Sequence, residues 1–175
     1  SACNNNFPML IWLCENFKGE IHVSTGMTTK DEISQIFELF KKFKKNNDLV
    51  LYNCTSGYPV PFQDVCLLDI IDLKNKYETE IKEIGFSGHH LGIAVDVAAF
   101  TLGASYVERH FTLDRTWKGT DHAASLEPEG MRKIRLYINC VAKAMHLKST
   151  EILPVEEEQL KKLKRNNNFD TKQKH

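Results

Sequence analysis

At 175 residues, 42% hydrophobic and 26% charged, the chain has the makeup of a globular domain long enough to bury a core. Its 23 basic and 23 acidic side chains cancel, which excludes the electrostatic footprint of a nucleic-acid or anionic-membrane binder. Five scattered cysteines without a CxxC pair argue against a disulfide framework and for a reducing, cytoplasmic setting.

In chain order, four short β-rich runs are predicted: IHVS (Ile21–Ser24), LVLYNC (Leu49–Cys54), EIGFS (Glu83–Ser87) and YVERHF (Tyr106–Phe111). Each precedes a helical pattern. After the first, Thr29 and Glu32 form a capping-box signature ahead of Ile33, Ile36, Phe37, Phe40 and Phe43. The basic run KKFKKNND (Lys41–Asp48) reads as the solvated end of that helix. After the second, Pro59 and Pro61 punctuate a turn, and Val65, Leu68, Ile71 and Leu73 recur at roughly helical spacing. Gly92–Leu102 is apolar almost all round and predicts a buried helix. The stretch Ala94–Val107 is broken by Asp96 and is too short for a membrane span. Glu127–Leu147 predicts the longest helix, with Pro128 near its start and Met131, Ile134, Ile138, Val141 and Met145 on one face.

Strand and helix alternate, the rhythm of right-handed βαβ crossovers on a parallel sheet. A closed barrel needs eight strands and about 250 residues. Four strands predict an α/β fold that is a partial (β/α)8 TIM barrel. Alternate side chains of a strand point to opposite faces. If His110 faces inward, so does Glu108, while Val107 and Phe111 face the helices; the same alternation puts Ser87 and His89 together. Ser24 ends the first strand, and Ser56 and Tyr58 follow the second. Polar residues therefore gather at the C-terminal ends of the strands, where such folds place their chemistry. Spacing alone leaves His89 and His110 open to two readings, hydrogen-bonded structural histidines or a metal pair at the barrel mouth, where neutral imidazoles suit Mn, Zn or Fe. The rim serines are equally readable as turn residues or as phosphate contacts.

STGM (Ser24–Met27), NCTSGYPVP (Asn53–Pro61), GFSGHHLGI (Gly85–Ile93) and LGASYVERHFTLDRTWKGTDHAASLEP (Leu102–Pro128) resemble successive blocks of the sialic acid synthases. SACNNNFPML (Ser1–Leu10) resembles the segment just after that family's fourth barrel strand. The resemblance implies condensation of phosphoenolpyruvate with N-acetylmannosamine or its 6-phosphate. It implies His89 and His110 as ligands to a divalent metal, Mn2+ or Mg2+; Ser1, Ser24, Ser56 and Ser87 as phosphoenolpyruvate contacts; and Tyr58 and Asp121 as amino-sugar contacts. Glu108, inward-facing beside a metal ligand, is the catalytic candidate. Arg115, Trp117 and Lys118 read either as a lid or as surface residues.

The glutamate, lysines and sugar contacts that the family carries upstream have no counterpart in these residues, nor has its C-terminal antifreeze-like domain. The expectation is a half-barrel over 1–154 that is inactive alone, with two unpaired sheet edges inviting self-association or a complementary half. A charged tail over 155–175 would form a short helix and then fray. A non-catalytic half-barrel that binds sugar, phosphate or metal is the alternative. His22 would point into the barrel, where the family has an aliphatic residue.

Overall fold

The computed structural model describes residues 2–165, so Ser1 and the tail beyond 165 lie outside the described residues. By its contacts the chain divides into two compact units, Ser1–Ala142 and Lys143–His175.

The first unit carries four parallel strands in the order β1-β2-β3-β4: β1 (Ile21–Ser24), β2 (Leu49–Cys54), β3 (Glu83–Gly88) and β4 (Tyr106–Arg109). The sheet curls into a half-barrel with helices on its convex side. Among the described residues β1 and β4 each pair along one edge only. β2, in the middle, is buried along its whole length, as a near-continuous apolar run should be. β4 is shorter than expected: past Arg109 the chain leaves the sheet, and Phe111 makes only an isolated bridge to Leu126.

Local chemistry explains most of the helices. α1 (Phe7–Asn16) escaped the sequence reading; Asn6 caps it by accepting the Met9 N–H, Pro8 occupies its first turn, and Leu10 and Cys14 are buried. α2 (Lys30–Lys42) begins with the predicted capping box, Glu32 reaching back to the Thr29 N–H at 2.8 Å. Such a cap contributes about 1 kcal/mol. Ile33, Ile36, Phe37 and Phe40 then enter the core, each fully buried side chain adding roughly 1.5–3 kcal/mol.

Two expected faces differ. Val65 is buried, but ahead of the helix; α3 (Asp69–Tyr77) starts only after a tight 3-10 turn and the positive φ of Cys66. That turn resets the register, so Ile70, Leu73 and Tyr77 face the core, while Leu68 and Ile71 are exposed. α4 (Ala94–Thr101) buries fully only Asp96 and Ala99, because it packs against β3 and β4 on one side. α5 (Pro128–Ala144) buries Ile134 and leaves Met131 exposed. In the second unit, α6 (Pro154–Leu163) is capped by Glu156, whose carboxylate accepts the Leu153 N–H and pairs with Lys148. Among the described residues no helix is long and apolar enough to cross a membrane.

The concave face ends, at the N-terminal side of the strands, in a polar floor. His22 Nδ1 lies 2.8 Å from the Tyr52 hydroxyl, Tyr106 donates to Glu20 at 2.9 Å, and Lys82 pairs with Glu20 at 3.1 Å. The inward His22 thus has partners. Burial, then the nearby Glu108 carboxylate, pushes the Tyr52 phenol up to about 12, so it stays a hydroxyl that can donate to His22. The Tyr52 ring lies against β3, where a Cβ on Gly85 would come within 2.6 Å of it. A glycine here admits close approach.

Candidate active site

At the other end of the strands, β3 and β4 run in register with Ser87 opposite Glu108. Paired residues of parallel neighbours share a face, and the Ser87 hydroxyl donates to Glu108 Oε1 at 2.7 Å. Two residues further on, the His89 and His110 rings stand 5.1 Å apart, edge to face. The predicted parity holds: both imidazoles and Glu108 sit on the concave side.

The loop after β2 closes over this pair. Its Val60 N–H donates to the His89 carbonyl at 3.0 Å, and the Tyr58 ring lies 4.6 Å from His89 and 5.4 Å from His110. The Tyr58–Pro59 peptide is cis. From the loop after β4, Asp121 brings a carboxylate oxygen within 3.6 Å of His110 Nδ1. That loop folds back because Leu126 N–H donates to the His110 carbonyl at 2.8 Å and Ser125 caps the Asp121 carbonyl. Asn4, buried just before α1, fastens the end of β1 by donating to the Ser24 and Gly26 carbonyls at 2.9 and 3.1 Å.

The surroundings of His89 suit a neutral imidazole with one free lone pair. His89 is buried, and its Nδ1 lies 3.0 Å from the Thr55 carbonyl, which can only accept. The Nδ1–H tautomer leaves Nε2 as a lone-pair donor, the second-sphere arrangement usual for metal-binding histidine. Burial holds the His89 imidazole below its ordinary value of 6.5, the Thr55 hydrogen bond opposing and His110 reinforcing this, so the neutral form is favoured. Among the described residues no group of three or more His, Cys, Asp or Glu is placed to hold a metal ion.

Ser24, Glu108, His22 and Tyr52 line a cavity of about 240 Å³ on the concave face. Ser56 lines a different and larger one, about 560 Å³, together with Thr25, Asn53 and residues of α2 and α3. Ser87, His89, Glu108, His110, Tyr58 and Asp121 are thus brought together, Ser24 joins them along the concave face, and Ser56 lines the second cavity. Ser1 lies outside the described residues. Sequence reasoning missed the Thr55 carbonyl and Asn4, because a backbone acceptor and a fold-bridging amide leave no spacing signal. His122, adjacent to Asp121, stacks edge-on against Trp117 at 6.4 Å, and Trp117 itself is exposed.

The NeuB family profile matches residues 1–150. The human N-acetylneuraminate-9-phosphate synthase is 38% identical over 156 residues, covering 89% of this chain and 42% of that protein. N,N'-diacetyllegionaminic acid synthase of Campylobacter jejuni is 39% identical over 141 residues, covering 80% of this chain and 41% of that protein. The crystal structure of the Leptospira borgpetersenii N-acetylneuraminic acid synthetase in complex with citrate superposes with a TM-score of 0.78 at 30% identity, covering 92% of this chain and 54% of that one. The chain spans about two fifths of the length of these curated relatives.

Proposed function

The chain belongs to the NeuB family, whose members matched here are synthases of sialic acid and related sugar acids, and we propose that its rim serves the same condensation: phosphoenolpyruvate joined to N-acetylmannosamine or its 6-phosphate, giving N-acetylneuraminate or its 9-phosphate. The enol carbon of phosphoenolpyruvate bonds to the aldehyde carbon of the open-chain sugar, water adds at the resulting cationic carbon, and phosphate leaves. The observation that carries this reading is the 5.1 Å approach of His89 and His110, with His89 Nδ1 held by Thr55.

In this reading His89 and His110 hold Mn2+ or Mg2+, which when bound supplies Lewis acidity toward the sugar aldehyde. Ser87 and Ser24 orient phosphoenolpyruvate along the concave face, with Ser1 and Ser56 as further contacts drawn from the resemblance. Tyr58 and Asp121 flank the imidazoles from two loops and hold the amino sugar. Glu108, fixed by Ser87, accepts or returns a proton at the reacting centre. Protein groups orient the reactants and stabilise developing charge.

In this reading further strands pair with β1 and β4 to complete the barrel. A half-barrel that binds these ligands without turnover is the second reading.

Manganese titration followed by electron paramagnetic resonance tests the site. The chain should bind Mn2+, and His89→Ala and His110→Ala should each abolish binding with the circular dichroism spectrum retained. Equal affinity in both variants would remove the assignment. Phosphate release from phosphoenolpyruvate with N-acetylmannosamine separates enzyme from binding module.

A further inference from the structure

On the helix side of the sheet, directly behind the two imidazoles, lies a second polar cluster that the proposed reaction does not use. Asp96, in the first turn of α4, and His90 are completely buried, and Arg109 is nearly so. Arg109 Nη1 donates to Asp96 Oδ2 at 2.6 Å and to the Gly92 carbonyl at 2.9 Å, and lies 3.1 Å from His90 Nε2. Nη2 donates to the His90 carbonyl at 2.6 Å and to the Ala124 carbonyl at 3.3 Å. Gly88 makes room for this side chain: a Cβ there would stand 3.1 Å from Arg109 Cδ.

Stability is a poor explanation for such a group. A buried ion pair is often no better than an apolar pair of the same volume, since desolvation offsets the attraction. Among the described residues Asp96 Oδ1, Arg109 Nε and His90 Nδ1 are buried without a hydrogen-bond partner, so the desolvation is incompletely repaid.

Geometry explains it better. His90 and Arg109 are the sequence neighbours of His89 and His110. The carbonyls that Arg109 holds belong to the segment after β3 (His90, Gly92) and to the segment returning from the Asp121 loop (Ala124). Ala124 and Ser125 in turn donate their N–H groups to the Asp121 carbonyl. One planar guanidinium therefore ties together the three pieces of backbone that carry His89, His110 and Asp121, a task for which its rigid fork is suited and an ammonium is not.

We propose that Arg109 and Asp96 are positioning residues that set the separation of His89 and His110 and the approach of Asp121. The proposal rests on the reading of those imidazoles as metal ligands.

The test uses the full chain carrying Arg109→Met with Asp96→Leu, which removes both charges and keeps the volume, and separately Arg109→Lys. The readouts are urea unfolding, imidazole nitrogen–proton correlation spectra of the metal-free protein, and Mn2+ affinity. The double variant should unfold at or above the parent's midpoint. Its His89 and His110 resonances should nonetheless move, and its Mn2+ affinity should fall about tenfold to a hundredfold. Arg109→Lys should recover only part of the loss, and it carries the same readouts if the double variant does not fold. Unmoved imidazole spectra in a folded variant overturn the proposal. Moved spectra in a protein that never binds Mn2+ support it and sink the metal reading instead.

Discussion

Ser87 and Glu108 face each other across neighbouring parallel strands, hydroxyl to carboxylate at 2.7 Å. The serine is buried and the glutamate exposed, so the pair has one end in the core and one in the cavity mouth.

Because Glu108 can turn to water, Ser87→Ala leaves no buried orphan and should shift the urea midpoint little. The lost hydroxyl should weaken phosphoenolpyruvate binding by about 1 kcal/mol, roughly fivefold. Calorimetry of parent and variant checks this, and equal affinities would take Ser87 out of the site.

Gly85 and Tyr52 are coupled by space. Gly85→Ala puts a methyl into the Tyr52 ring and should cost about 1–3 kcal/mol. Adding Tyr52→Leu should recover part of that loss. Strictly additive effects in a double-mutant cycle would mean the two side chains do not meet.

The polar floor predicts an acid-sensitive contribution. Hydrogen bonds from Lys82 and then Tyr106 hold the Glu20 carboxyl below its ordinary value of 4.5. A depressed folded value means the contribution is complete above the unfolded pKa and disappears as pH falls through the folded one. The parent should therefore exceed Glu20→Gln in stability at neutral pH, and the gap should close as acidification passes below the carboxyl's ordinary value of 4.5 and through its lower folded value. Urea midpoints across that range decide; a constant gap contradicts the assignment.

Among the described residues β1 and β4 have one unpaired edge each, and unpaired strand edges recruit partners. Size-exclusion chromatography with light scattering should show mass rising with protein concentration. Charged substitutions at outward positions along β1 should suppress that rise. A well-behaved monomer throughout would show that the edges are protected.

Much of the site was legible in advance. The four strands, the Thr29 capping box and the shared face of Glu108 and His110 follow from period-two alternation and cap chemistry, which are local. Asp96 registered only as an interruption in an apolar helix; its partner Arg109 is on another strand, and nothing in linear spacing connects them. The face of α3 was misread because a positive φ at Cys66 and a 3-10 turn restart the helical register, a backbone event with no periodic signature.

By itself the sequence determined which residues could meet: alternation and helix spacing assign each side chain to a face, because backbone geometry repeats at two and 3.6 residues. Only the tertiary structure decided which of them do. The 5.1 Å between His89 and His110, the tautomer imposed by Thr55, and the Arg109 clamp behind them arise where the curl of the sheet and two returning loops converge. That convergence depends on packing between distant segments, where a few tenths of an ångström separate a contact from a gap.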